Sequence, residues 1–210
     1  MGMEGAMDGI TLLRQDHKAV EGLFKRFEKA GDNASKAKRD VVDRIIEALA
    51  VHAAIEEQVF YPAVREAIPD VGDTVLEGLE EHHIVKWTLK ELEDMDPDHE
   101  RFDAKVTVLI ESVRHHVEEE EDELFPEVRK ALGRKRLGEI GEAMEKAKKA
   151  APTRPHPKAP DTPPGNLVAG AAAGAVDKAR DAGKKAGRKA GNKARKATTK
   201  TAGRTRSASS

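Results

Sequence analysis

The sequence predicts an all-α protein: an antiparallel up-down-up-down four-helix bundle with a short fifth helix and a largely disordered tail behind it. Three observations carry this. Four long segments repeat apolar residues at the three-to-four spacing of one helix face. Turn-forming stretches (Gly31-Asp32-Asn33, Pro69 to Gly72, Asp96-Pro97-Asp98) separate those segments. Connections this short make successive helices antiparallel neighbours.

The first helix is expected over about Gly9–Ala30, with an apolar stripe of Ile10, Leu13, Val20, Phe24 and Phe27 and with His17 in the gap of that stripe. The second, about Lys36–Ile68, places Val42, Ile45, Leu49, Val59 and Ala63 on one face with His52 and Glu56, while Glu57 lies about 100° away. Pro62 inside that pattern predicts a kink or a local break. The third, about Asp73–Asp94, carries Val75, Leu79, Val85, Leu89 and Leu92 with His82 on the stripe, and Asp70 or Asp73 is available as its N-cap. The fourth, about Glu100–Leu132, shows Val106, Leu109, Ile110, Val113, Val117 and Leu124. Leu137, Ile140, Met144 and Ala147 make the fifth, about Lys135–Ala150, amphipathic, fit to pack on the bundle or on a partner.

Charge divides the chain as sharply as periodicity does. Of the 37 Lys and Arg, 14 lie from residue 151 onward, against 3 of the 38 Asp and Glu. The net charge of −1 therefore joins a segment at +11 to a first 150 residues holding the remaining 23 basic and 35 acidic side chains. Six of the 10 prolines fall between Pro152 and Pro164. The expected organisation is a bundle over 8–132, a short helix over 133–150, a Pro-rich linker over 151–165 and a basic Ala/Gly/Lys-rich tail over 166–210. Aromatics at 3% leave the core mainly aliphatic, and the absence of cysteine excludes disulfides, thiolate ligands and thiol catalysis. The N-terminus lacks the basic flank and apolar run of a signal peptide, so a cytoplasmic location is expected. No apolar run approaches the ~20 residues that span a bilayer, so no membrane partner is expected.

Within the bundle one pattern occurs twice. His52 to Pro62 and His116 to Pro126 each place a Glu four residues after the His and a Pro ten after it, behind an aromatic residue. Asp16-His17 and Glu81-His82 match each other as well. Residues four apart lie on one helix face, so His52 with Glu56, and His116 with Glu120, aim an imidazole and a carboxylate at one point. His115 with Glu119 competes with His116 and Glu120; residue 116 continues the apolar series 106, 109 and 113, so the latter pair points inward. At ~1.5 Å per residue, His17, His52, His82 and His116 all lie ~20–27 Å from the same end of the bundle. Four inward histidines at one level, with two Glu that are almost never buried unless paired or ligated, make a metal site. His99 and His156 fall outside the pattern and are read as surface residues; His83 and His115 support the ligands or face solvent.

At these residues the chain resembles the hemerythrin-like, or HHE cation-binding, family over about residues 8–132. The resemblance implies a four-helix bundle around two non-haem iron ions, with His17 and His52 serving one iron, His82 and His116 the other, and Glu56 and Glu120 bridging. Imidazole and carboxylate suit iron, and positions left open would take a small ligand. The sequence departs from the oxygen-carrying hemerythrins at Lys86, where they have a second His, and at Glu120, where they have an Asp one residue further on. The site is more symmetric and poorer in nitrogen. This favours reaction with, or sensing of, peroxide, nitric oxide or oxygen over reversible oxygen storage, and a peroxide-consuming, catalase-like activity is one form of it. Lys86 either neutralises charge near the site or snorkels to solvent.

Residues 167–176 hold the spacing Gly170-Ala171-Ala172-Ala173-Gly174, that of close helix contacts. From Asp177 to Thr201 Lys and Arg alternate with Ala and Gly, as in histone-linker-like tails. The segment is read as a solvated tail or as a non-specific binder of nucleic acid or another polyanion, which would associate the protein with the nucleoid. Without interleaved aromatics, base stacking is not expected. Two function classes follow: a redox-active or gas-binding diiron protein, and a metal-stabilised scaffold whose tail binds DNA or another polyanion.

Overall fold

The structure, a computed structural model, describes residues 7–31 and 34–183. Every regular element among them is helical. Helix α1 (Gly9–Glu28) starts at Asp8, whose carboxylate accepts from the Thr11 amide at 2.9 Å and the Thr11 hydroxyl at 2.8 Å. Helix α2 (Ser35–Ile55) returns antiparallel to it. Beyond α2 the chain makes a π-helical turn (Glu56–Phe60) before helix α3 (Tyr61–Ala67). The second half repeats the plan: α4 (Gly72–Asp94), α5 (Phe102–Glu119), a second π turn (Glu120–Leu124) and α6 (Phe125–Ala131). The four-helix bundle expected from periodicity is present.

The two π turns resolve the expected break at Pro62. Proline has no N–H for the carbonyl four residues before it, and its ring crowds that oxygen. Instead, the Tyr61 N–H donates to the Glu56 carbonyl and the Phe125 N–H to that of Glu120, five residues back in each case. The helix widens by one residue immediately before Pro62 and Pro126, then continues. Single π turns of this kind concentrate at functional sites, and here each one starts on a Glu of the repeated motif.

The expected caps of α4 are not used. A 3-10 turn (Pro69–Val71) feeds directly into the helix and the Gly72 N–H is already paired with the Pro69 carbonyl, so neither Asp70 nor Asp73 caps it.

Two hydrophobic clusters fill the bundle, one on each side of the histidine level. One holds Val20, Phe24, Ile45, Leu89, Phe102 and Leu109 toward the α1–α2 turn. The other holds Leu13, Ile55, Phe60, Val75, Phe125 and Met144. All five Phe and Tyr61 are buried, so few aromatics do a large share of the packing. Helix α7 (Arg134–Ala150) packs on the bundle through Leu137, Ile140 and Met144. Its Gly141 lets the start of α1 approach: a Cβ there would stand 2.0 Å from the Met7 carbonyl oxygen.

The chain after Ala150 departs from the expected linker and tail. Residues 165–183 form a further helix, α8, and the Pro-rich stretch before it lies against the bundle, with Ala151 2% exposed. Asp177, 3% exposed, accepts from the Thr153 and Arg154 amides at 3.1 Å each, and Arg154 pairs with Asp181 at 2.9 Å and with Glu93. Helix α8 can sit close because of its glycines: a Cβ on Gly170 would stand 2.5 Å from Gln58 Nε2, and one on Gly174 2.1 Å from the Ala150 carbonyl. The small-residue spacing thus marks a close contact, and its partner is this chain's own bundle. The basic residues 184–210, on which the polyanion reading rests, lie outside the described residues. No helix among the described residues is long and apolar enough to cross a membrane.

Candidate metal centre

Between the two apolar clusters lies one polar layer, and all six sequence-derived residues are in it. His17, His52, Glu56, His82, His116 and Glu120 are each 6% exposed or less, with Glu56 at 0%. The histidines form two pairs through their Nε2 atoms, His17 with His52 and His82 with His116, each at 3.2 Å. Glu56 Oε2 lies 3.1 Å from His52 Nε2 and 3.3 Å from His82 Nε2, so it spans the two pairs. Glu120 Oε2 does the same from the other side, 3.3 Å from His17 and 3.7 Å from His116. His17, His52, Glu56 and Glu120 bring one donor atom each within 4.8 Å of one another, as do Glu56, His82 and His116. The competing pair His115 and Glu119 is paired at 3.3 Å on the surface, where His115 is 65% exposed. His83 and His99 are exposed. His156, read as a surface residue, is half-exposed and lies 3.1 Å from Asp177.

The layer contains acids that periodicity alone assigned no role. Glu121 Oε1 is 2.8 Å from His17 Nδ1, Glu57 Oε1 is 3.1 Å from His82 Nδ1 and Glu81 Oε2 is 2.7 Å from His116 Nδ1. Carboxylates behind the outer nitrogen fix the ring orientation and leave Nε2 free for a cation. Asp16 stands behind His52 in the same way but at 3.9 Å, a charge contact too long for a hydrogen bond. His52 Nδ1 consequently has no hydrogen-bond partner. The signal for this outer ring was present: Asp16 precedes His17 as Glu81 precedes His82, and Glu57 follows Glu56 as Glu121 follows Glu120. Lys86 pairs with Glu57 at 2.7 Å and is 12% exposed, which settles it as a neutralising cation rather than a solvent-facing one. Tyr61 donates to Glu120 Oε1 at 2.9 Å and stacks on His82 at 5.6 Å between ring centres.

The electrostatics mark a site built for a cation. Burial, with the Glu120 charge added, pushes the Glu56 carboxyl well above the usual range. Burial acts on Glu120 in the same sense, yet His116 and His17 outweigh it and hold Glu120 ionised. Burial takes His52 down to about 4. His17 and His116 are raised, because Glu120 and their outer carboxylates overcome the cost of burial. Both oxygens of Glu56 and Oε2 of Glu120 are buried without a hydrogen-bond partner. Such groups are costly unless something pairs with them, and a cation held by this cluster would do so.

A helical bundle with a buried His/Glu cluster fit for cations is the class these features define. The chain belongs to the hemerythrin HHE cation-binding domain family, whose profile matches residues 8–128. It is 30% identical over 157 residues to an uncharacterised hemerythrin-like protein of Schizosaccharomyces pombe, covering 74% of this chain and 76% of that protein. It is also 31% identical over 121 residues to a DNA nickase of Nostoc sp., but this match spans 58% of the chain and only 33% of that protein. A solved structure, a hemerythrin HHE cation-binding domain-containing protein from Mycobacterium kansasii, superposes with a TM-score of 0.58 at 21% identity, covering 68% of this chain and 86% of that one. That likeness shows the fold.

Proposed function

We propose that the chain holds two non-haem iron ions and reacts with, or senses, a small uncharged ligand such as hydrogen peroxide, nitric oxide or oxygen. His17 and His52 would hold one ion and His82 and His116 the other, with Glu56 and Glu120 spanning both. Mixed imidazole and carboxylate donors suit iron in preference to the softer sites that thiolates make. Bound iron supplies the redox chemistry and open positions for a ligand.

One observation carries the reading. The histidine layer has the carboxylates and Tyr61 on one side and an apolar chamber of about 30 Å³ on the other. Its walls are the four imidazoles with Val20, Leu49, Ala53, Val85, Val113 and Val117. One water-sized probe needs ~10–15 Å³ on this scale, so the chamber suits one small molecule, of the size of a diatomic gas, hydrogen peroxide or a xenon atom. Nine of its ten wall residues are buried, Val117 being half-buried, and none is Lys or Arg. On the opposite side the Tyr61 hydroxyl, with its pKa pushed well up by burial and by Glu120, keeps its own proton and donates a hydrogen bond to Glu120 Oε1.

The test is an optical spectrum of the iron-loaded full-length protein before and after peroxide or nitric oxide. Bands that change on addition support the proposal; an unchanged spectrum with two bound irons refutes it.

Charge favours a second role for the tail. With residues 151–183 folded onto the bundle, residues 184–210 carry ten Lys and Arg and no Asp or Glu. That density supports salt-sensitive, sequence-independent binding of duplex DNA or another polyanion. Gel-shift titration of the full chain against a chain ending at Gly183 tests it: equal binding by both would remove the tail from the account.

A further inference from the structure

The chamber against the histidines is walled by buried side chains except at the half-buried Val117, so a ligand needs a way in. A surface groove of about 490 Å³ runs between α1 and α5, edged by Arg14, Lys18, Arg114, Glu118 and Asp122. Groove and chamber share four wall residues: His17, Val20, Val113 and Val117. Three of these are buried, whereas Val117 is half-buried. Val117 is therefore the side chain through which the outer groove and the inner chamber are closest to joining. A second cavity, of about 40 Å³, lies beneath α8 and touches the chamber at Ala53 alone. Its walls mix Ala and Pro side chains with Lys86, Arg154, His156 and Asn166, and it meets the chamber at one wall residue against the groove's four.

The groove's edge also selects by charge. Arg114 is engaged by Glu21 at 3.0 Å and Glu28 at 2.8 Å, and Arg14 lies 3.6 Å from Glu121. These guanidinium groups are already paired, and acidic side chains stand beside them, so the mouth gives no advantage to an anion. The valine wall behind it favours an uncharged molecule.

We propose that the ligand enters between α1 and α5 past Val117, and that Val117 sets the largest molecule admitted. The inference rests on the chamber being the ligand site. Valine has one stiff side-chain torsion, so passage requires Val117 to leave its rotamer or α1 and α5 to part.

Xenon is an uncharged apolar probe that needs no metal, so its exchange with the full-length protein, followed by xenon NMR with and without bound iron, separates this route from the chemistry. Val117→Ala is expected to speed exchange about tenfold and Val117→Trp to slow it about tenfold, the rate equivalent of one off-rotamer side chain. Ala173→Leu, which fills the cavity beneath α8, leaves exchange unchanged. Nitric oxide association with the iron-loaded protein, measured by stopped flow, follows the same order. If Val117→Trp does not fold, Val117→Ala decides alone, and an unchanged rate overturns the proposal. It is also overturned if Ala173→Leu slows exchange while the Val117 variants do not, or if xenon never enters. Xenon exchange that follows Val117 while iron-loaded protein ignores nitric oxide and peroxide leaves the route standing and removes the function proposed above.

Discussion

Lys148 on α7 holds Asp16 on α1, with Nζ 2.5 and 2.6 Å from its two carboxylate oxygens. Asp16 therefore stops 3.9 Å short of His52 Nδ1, whereas Glu81, without such a lysine, closes to 2.7 Å on His116. The two halves of a duplicated site thus differ because the fifth helix reaches only one of them. Loss of an outer partner costs about 10–100-fold in metal affinity. Glu81→Ala is expected in that range and Asp16→Ala below it, by metal titration. Lys148→Met frees Asp16 to approach His52, so the Asp16→Ala penalty should grow in that background. Equal penalties for Glu81→Ala and Asp16→Ala would show that the 3.9 Å gap does not matter.

Glu56 spans both histidine pairs, so its removal should disturb both ions. Metal analysis of Glu56→Ala is expected to fall below two equivalents per chain, and Glu120→Ala likewise. His99→Ala and His115→Ala, both at exposed positions, should retain full loading. Two full equivalents in Glu56→Ala would end the bridging role.

Metal uptake should release protons. In the metal-free chain Glu56, His17 and His116 all hold protons above their usual range. A cation must displace those protons, so affinity rises with pH through the window between the ordinary values and the raised ones. His52, already down to about 4, contributes none near neutrality. Calorimetry in two buffers of different ionisation enthalpy measures the release at pH 7. Glu56→Gln should release fewer protons; an unchanged number would mean that Glu56 is ionised before the metal arrives.

Asn166, 3% exposed, ties the start of α8 to the bundle by donating to the Glu57 and Asp161 carbonyls, both at 2.9 Å. Removing a buried donor strands its acceptors, at ~1–3 kcal/mol. Asn166→Ala should lower the unfolding free energy by that amount, read from chemical denaturation. Leu89→Ala, in the cluster on the far side of the histidine layer, should cost ~2–5 kcal/mol through its cavity and leave metal stoichiometry unchanged.

Helical periodicity and a repeated motif were enough to place four helices, their directions and six inward residues. Each of those rests on a local rule: 3.6 residues per turn puts His52 over Glu56 whatever surrounds them. The π turns were half legible, since Pro62 and Pro126 announce a disturbance but not its form. The outer carboxylates were legible only through the repeat. Glu57 and Glu121 lie off the apolar face, and their burial depends on neighbouring helices that bring His82 and His17 to them. The fate of residues 151–183 was not local at all. Composition there is polar and rich in proline and glycine, which on its own favours an extended chain; what folds it is close approach of Gly170 to Gln58 and Gly174 to Ala150, with Asp177 collecting the loop amides. Those partners lie between 23 and 112 residues away in sequence, so only the assembled structure could supply them.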